Sequence, residues 1–241
     1  MNRFKDAPLS VIIPTLNSDQ CLAACLSSLV VASVDGLIKE VIVSDGGSRD
    51  RTKEIADAFG ATFIEGMNGR GTQLKHGAAM ARAEWFLFLH SDTVFKAGWE
   101  RVVEEFINPN MTDKMDGVVG TFHLRFDDVG LASKIVAWGA NFRTRHFRMP
   151  YGDQGLLISR QVYNSIGGYN EEPLFEDVAL IDAIHRAYGR NAVALLPAFA
   201  ITSADRYASN GYFRRVVRNW VFMRRYRAGE SPGEIIKQYE A

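Results

Sequence analysis

The chain has 241 residues, 47% of them hydrophobic and 23% charged, and its 28 basic and 28 acidic side chains cancel; that is enough to bury a full core in one domain. No apolar run approaches the ~20 residues that cross a bilayer, and the start of the chain, with Arg3, Lys5 and Asp6, lacks the apolar core of a signal peptide, so a soluble cytoplasmic protein is expected. The two cysteines, Cys21 and Cys25, stand four apart with no His or further Cys nearby, a pattern of one packed helical face and not of a disulfide or metal site.

Leu9 to Ile13 is a first strand, ended by Pro14, which cannot donate to a ladder. Thr15-Leu16-Asn17-Ser18 turns into a helix around Cys21 to Val31, with Asn17 or Ser18 as N-cap. Glu40 to Ser44 is a second strand, closed by Asp45-Gly46-Gly47-Ser48. The helix that follows starts at Asp50 or Thr52, repeats Ile55, Ala56 and Phe59 at helical spacing, and stops at Gly60. Thr62 to Ile64 is a short third strand. Three glycines surround Arg70 between Gly66 and Gly71, ahead of an Ala-rich helix from Thr72 to Ala83. Glu84 to Leu89 is an unbroken apolar, aromatic-rich strand buried on both faces, and it stops at His90-Ser91-Asp92. Strands alternating with helices predict a mostly parallel sheet.

Open α/β sheets bind ligands in the crevice beyond the carboxyl ends of their strands. Thr15 and Asn17, Asp45, and Asp92 end three of these strands and converge on one edge, which Arg70 can also reach. Such a set suits a nucleotide: a carboxylate accepts from a base N–H, hydroxyls and backbone meet ribose, and a cation on Asp92 neutralises a diphosphate. For Asp92 taken alone, capping the next turn is an equal alternative. There is no G-x-G-x-x-G after the first strand and no G-x-x-x-x-G-K-[ST] anywhere, so neither a dehydrogenase nor a P-loop NTPase is supported.

In the second half, Asp116 to Phe126 has the partial alternation of a strand at a sheet edge, and Leu131 to Arg145 is a helix. Arg143, Arg145, His146 and Arg148 form either an anion site or a solvated basic surface. Tyr151-Gly152-Asp153-Gln154-Gly155 precedes a short strand ending at Ile158, and Glu176-Asp177 stands just before a helix from Ala179 to Tyr188. That pair is either a dipole-stabilising cap or a source of a catalytic carboxylate.

Charge is uneven along the chain. Seven arginines and no acid lie between Arg206 and Arg227. Tyr212 to Tyr226 is a helix whose Phe213, Val216, Val217, Trp220 and Val221 make an apolar stripe, with Arg214, Arg215, Arg218 and Arg225 largely off it. The stripe either packs back on the domain or lies on an anionic membrane. An acidic body without a nucleic-acid motif argues against nucleic acid as a partner.

Four motifs in this order resemble the family 2 inverting glycosyltransferases of GT-A fold. They are Val11-Ile12-Ile13-Pro14-Thr15-Leu16-Asn17, the stretch from Val41 through Asp45-Gly46-Gly47-Ser48 to Thr52, the Arg70 loop with its Ala-rich helix, and the strand ending at Asp92. The resemblance covers most of residues 8–205. The Leu89-His90-Ser91-Asp92-Thr93 strand end and the Thr202-Ser203 to Trp220 region look most like the small bacterial group called radical-SAM/selenodomain-associated transferases.

This resemblance implies a mixed, mostly parallel α/β sheet flanked by helices over residues 1–205, and a basic helical tail over 206–241. It implies metal-dependent, inverting transfer of a sugar from a nucleotide-diphosphate sugar, UDP-sugar foremost, to a hydroxyl on a small or lipid-linked acceptor. Pro14, Thr15, Asn17, Asp45, Gly46, Arg70, His90 and Ser91 would meet the donor, with Thr15 and Asp45 at the base and Arg70 at base or diphosphate. Asp92 would carry Mn2+ or Mg2+, Asp177 would be the general base beside Glu176, and Asp153 and Gln154 would face the acceptor. The family's Asp-x-Asp triplet is replaced by His90-Ser91-Asp92, leaving His90 as a donor to the nucleotide, a packed histidine or a metal ligand. A nucleotidyltransferase and a non-catalytic nucleotide-sugar binder are the rival readings; the missing basic, glycine-rich triphosphate loop argues against the first and Asp177 against the second. Peripheral membrane contact through the tail and oligomer formation stay open.

Overall fold

The computed structural model describes residues 6–66, 69–108, 118–172, 174–204 and 212–239. Its N-terminal half is a run of parallel strands with helical crossovers. β1 (Leu9–Thr15), β2 (Ile38–Asp45), β3 (Thr62–Glu65) and β4 (Trp85–Phe88) are joined by α1 (Leu22–Ser27) and α2 (Val30–Val34), by α3 (Thr52–Ala58), and by α4 (Arg70–Met80). β5 (Thr93–Phe95), α5 (Trp99–Ile107), β6 (Val119–Phe126), α6 (Leu131–Phe147), β7 (Leu156–Ser159), α7 (Arg160–Ser165), α8 (Glu176–Tyr188) and β8 (Val193–Thr202) complete the sheet and its cover, and α9 (Tyr212–Arg227) and α10 (Pro232–Tyr239) follow. The eight strands lie in the order β3-β2-β1-β4-β7-β6-β8-β5. β7 runs antiparallel to β4 and β6, and β5 antiparallel to β8, so the sheet is mixed with a parallel N-terminal half.

Burial on both faces explains the strand sequences. Along β1, Leu9, Val11 and Ile13 enter one core with Leu22 and Leu26 of α1 and Trp99, Val103 and Phe106 of α5. Ile12 points to the other, with Phe86 and Phe88 of β4, Leu74 of α4 and Leu180 and Ile184 of α8. Two apolar faces on a central strand give the near-continuous hydrophobic run of a parallel sheet.

Several expected boundaries move. Pro14 lies inside β1, opposite Ser44, because the ladder to β4 has already ended at Ile12 and no neighbour on that side needs a donor there. The helix expected over Cys21 to Val31 is split into α1 and α2. The Ser27 and Ser28 hydroxyls bond back to the Ala23 and Cys25 carbonyls, at 2.7 Å each, where the first segment stops. Neither the Asn17 nor the Ser18 side chain caps it; Cys21 holds the cap position without a side-chain capping bond, its Sγ turning back to the Ser18 carbonyl. β6 is interior, between β7 and β8, and not an edge; Asp116 and Gly117 lie outside the described residues. β8 carries Pro197 in its middle, at the register shift where Phe122 pairs with Leu196 and His123 with Phe199. A proline at a bulge removes no ladder bond, so this strand is hard to see in the sequence.

Candidate active site

Two loops beyond the strand ends are stitched to each other by side chains. Asp45, at the end of β2 and only 2% exposed, accepts from Thr15 Oγ1 at 2.8 Å, Gly47 N at 2.8 Å, Ser48 N at 2.6 Å and Ser48 Oγ at 2.5 Å. A carboxylate offers about four acceptor sites, so Asp45 organises the loop that Gly46 opens. Gly47, at φ +99°, supplies the left-handed turn that lets the next amides point back. Asn17 is itself left-handed, with φ 50°; its N–H donates to Ser48 Oγ at 2.7 Å and its Oδ1 accepts from Arg49 N at 3.0 Å. Beneath them Gln73 donates to the carbonyls of Thr15 (2.7 Å) and Ser44 (2.9 Å), tying α4 to both strand ends. Sequence reasoning missed Gln73; a lone amide on the inward face of an Ala-rich helix was the available signal.

Asp92 follows β4 and is half-buried. Its Oδ1 accepts from Thr202 Oγ1 at 3.2 Å and its carbonyl from Ser203 N at 3.3 Å, which fixes it against the end of β8. Ser91 Oγ sits 3.0 Å from Ser18 Oγ, joining the first and fourth strand ends. Among the described residues no three His, Cys, Asp or Glu side chains form a metal cage. Divalent cations that work on phosphates use one or two carboxylates and take their other ligands from substrate oxygens and water, and Asp92 at the strand end fits that mode.

Opposite lies the turn Gly152–Gln154 and the start of α8. Glu176 and Asp177 are the first two residues of the helix, not residues ahead of it. Asp177 Oδ2 accepts from Gly152 N at 2.7 Å, and Oδ1 from Val178 N at 2.8 Å. A side chain on Gly152 would lie 2.7 Å from His90 Nε2 and 3.5 Å from Asp177 Oδ2. Gly152 therefore sits between the β4 strand end and the α8 carboxylate, and only glycine lets them approach so closely.

Two carboxyls around this turn, Asp153 and Glu176, are strongly perturbed. Burial pushes Asp153 up to about 6, against the pull of Arg143 and with help from Asp177 and Asp92. Its Oδ1 is closed off from solvent without a hydrogen bond. Glu176, 2% exposed, is pushed up to about 7 by burial, with Arg70 opposing and Asp177 adding to the rise. Arg70 Nη1 lies 3.4 Å from Glu176 Oε1. The chain comes close enough for this because Gly71 leaves room for the Asn170 and Glu172 carbonyls. Glu176 thus pairs with Arg70 and is itself closed off from solvent.

Gln154 does not reach the acceptor side as expected. It is fully buried, with its Oε1 taking Thr144 Oγ1 at 2.7 Å and Arg143 Nη2 at 3.3 Å while its amide donates to the Phe122 carbonyl at 3.0 Å. The basic cluster divides as well. Arg143 stacks 3.5 Å over Tyr151 and donates to the Met149 carbonyl, and Arg148 donates to the Val193 carbonyl. Arg145 and His146 stay exposed.

The tail buries a face other than the expected stripe. Phe222 and, from α10, Ile235 join Phe175 and Val178, with Met223 and Tyr226 against them, whereas Val217, Trp220 and Val221 are exposed; the side chains of Phe213 and Val216 lie outside the described residues. Tyr226 stacks on Phe175 with ring centres 4.8 Å apart and donates to Glu172 Oε2 at 3.3 Å. Phe175, the residue before Glu176, is held at φ 65°, a strained setting for an aromatic residue that persists only when its surroundings enforce it.

A family model described as glycosyl transferase family 2 matches residues 10–164. A PGL/p-HBAD biosynthesis glycosyltransferase of Mycobacterium tuberculosis is 30% identical over 175 residues, 68% of this chain and 64% of that protein. Less than two thirds of that relative's length is therefore matched. Glucosyl-3-phosphoglycerate synthase from the same organism, solved with Mn2+ and UDP-glucose, superposes with a TM-score of 0.58 at 20% identity, covering 89% of this chain and 78% of the other. A second solved structure, described as a mycobacterial protein, gives a TM-score of 0.62 at 21% identity, covering 89% of this chain and 74% of the other. These similarities establish the fold as the GT-A arrangement of a mixed sheet flanked by helices.

Proposed function

The chain belongs to glycosyl transferase family 2, and from that premise we propose that it moves a sugar, with inversion, from a UDP-sugar to an acceptor hydroxyl. One observation carries the reading: Gly152 joins His90, at the donor strand end, to Asp177, at the start of α8, so that the two halves of a transfer site meet at one turn. In this reading the Asp45–Ser48 loop, Pro14, Thr15 and Asn17 form the base pocket, and Arg70, His90 and Ser91 line the way to the diphosphate. Asp92 would hold Mn2+ or Mg2+, which offsets charge on the leaving diphosphate. Asp177 takes the proton from the acceptor hydroxyl as it attacks the anomeric carbon from the face opposite the leaving group. Asp153 borders the acceptor. The solved neighbours bound to UDP with Mn2+ or Mg2+ support the choice of donor and metal. Residues 1–205 act as the transferase unit in this reading, and the strand end Leu89 to Thr93 supports a place in the radical-SAM/selenodomain-associated group.

Thermal unfolding with UDP, GDP and their sugars tests the donor assignment, since a ligand that binds only the folded chain raises its stability by about 2.7 kcal/mol at a hundredfold excess over Kd. UDP with Mn2+ is expected to raise Tm, and UDP alone to do so less. No shift with any nucleotide would overturn the reading. Release of pyrophosphate from a nucleoside triphosphate would assign a nucleotidyltransferase instead.

A further inference from the structure

α6 is amphipathic in the reverse sense for a helix that covers a sheet. Its inward face is made of small residues, with Ser133, Ala137, Ala140 and Thr144 all buried and the two alanines packed on Leu124 and Phe126 of β6. The outward face carries the large apolar side chains: Leu131 is 75% exposed, Ile135 59%, Trp138 67% and Phe142 44%. Their spacing of four, three and four residues puts them on one stripe, and the Trp138 and Phe142 rings touch, with centres 5.4 Å apart. Scattered exposed apolar residues are ordinary, but a continuous stripe marks an interaction surface. α9 packs beside α6 and extends the patch with Trp220, 59% exposed, whose ring lies 5.0 Å from the Arg224 guanidinium.

Charge says what covers this surface. α6 and α9 together hold nine lysines and arginines and no acid, whereas the rest of the chain holds 19 basic residues against 28 acidic ones. Arg225 and Arg227 turn inward to Glu230 and Asp182, but Lys134 and Arg145 are exposed along the stripe. Beside α6 a groove of about 600 Å³ is lined by Lys96, Arg125, Lys134 and Trp138. Asp127 and Asp128 also line it, each already accepting a backbone N–H, from Ala204 and Gly130. No described helix is long and apolar enough to cross a membrane, so the stripe suits a helix lying in the plane of an interface.

We propose that the outward face of α6, with Trp220 of α9, docks the protein on an anionic lipid bilayer. Leu131, Ile135, Trp138 and Phe142 enter the headgroup–acyl boundary while Lys134, Arg145 and Arg224 meet lipid phosphates. A second copy of the chain is the poorer occupant: a two-fold contact through this face would set two acid-free basic helices against each other, opposing like charges. The docked helix is also tied to the candidate active site, because Arg143 of α6 stacks on Tyr151, next to Gly152.

Flotation of the full chain with vesicles tests this without any sugar donor. The protein is expected to float with phosphatidylglycerol-containing vesicles and not with pure phosphatidylcholine, and to be released as salt is raised. Ile135→Ser, Trp138→Ser and Phe142→Ser together should lower partitioning at least ~100-fold at unchanged Tm, since three exposed side chains carry the apolar term. Lys134→Glu with Arg145→Glu should remove its salt sensitivity. Three results would each overturn the assignment: no flotation with the anionic vesicles, wild-type flotation of the triple serine variant, or a wild-type dimer in sedimentation velocity that the triple variant converts to monomer.

Discussion

Asp177→Asn is expected to bind donor and Mn2+ as the unaltered protein does and to lose ~10²–10⁴-fold in kcat, the usual contribution of a positioned base. The substitution keeps shape and removes the proton acceptor. Both carboxylate oxygens of Asp177 accept backbone N–H groups, from Gly152 and Val178, and an amide has one oxygen, so one of these bonds is given up at a cost of about 1 kcal/mol. That is small beside the expected rate loss, and thermal unfolding separates the two. Because the base acts on the acceptor only during attack, the loss should fall on kcat and not on donor affinity. Near-wild-type turnover would remove Asp177 from the role and move attention to Asp153, the buried carboxyl at the same turn.

Asp92→Ala is expected to erase the metal-dependent part of nucleotide binding. In the unaltered protein, adding Mn2+ to UDP should raise Tm by several degrees, since each kcal/mol is worth roughly 2–4 °C in a chain of this size. In the variant the increment should vanish while the shift from nucleotide alone persists. The fold should survive, because Asp92 Oδ1 holds one side-chain bond at 3.2 Å, to Thr202, and that hydroxyl can turn to water. An equal Mn2+ increment in the variant would show that the cation sits elsewhere.

The parts of the site legible in the sequence are those set by neighbours close along the chain. β1, β2 and β4 announce themselves as apolar runs with two buried faces, and Asp45-Gly46-Gly47-Ser48 can be read as a turn because the bonds it makes are mostly internal. What escaped depends on distant partners. Gln154 resembles a surface amide until Thr144, Arg143 and Phe122 surround it. β6 resembles an edge because Gly120 breaks its pattern, yet that glycine is small because Leu196 of β8 would lie 2.8 Å from any added carbon. The tail misled through its own periodicity. Both faces of α9 are apolar, and which one is buried depends on Phe175 and Val178, some forty residues earlier in the chain.

The Tyr226–Phe175 stack also sets an order in time. The strand ends from β1 to Asp92 come early in the chain, and their later braces, Gly152 against His90, Glu176 beside Arg70, and Thr202 and Ser203 on Asp92, all precede the tail. Phe175, which sets the entry to Asp177, is clamped by the ring of Tyr226, 51 positions further along the chain. During synthesis the strand ends proposed to hold the donor can therefore form before Tyr226 is available to hold the carboxylate proposed as the base. A chain ending at Ala204 should show this directly: metal-dependent UDP binding kept and sugar transfer lost. Full transfer by the shortened chain would mean that Phe175 keeps its conformation unaided and that the final helices are dispensable for chemistry.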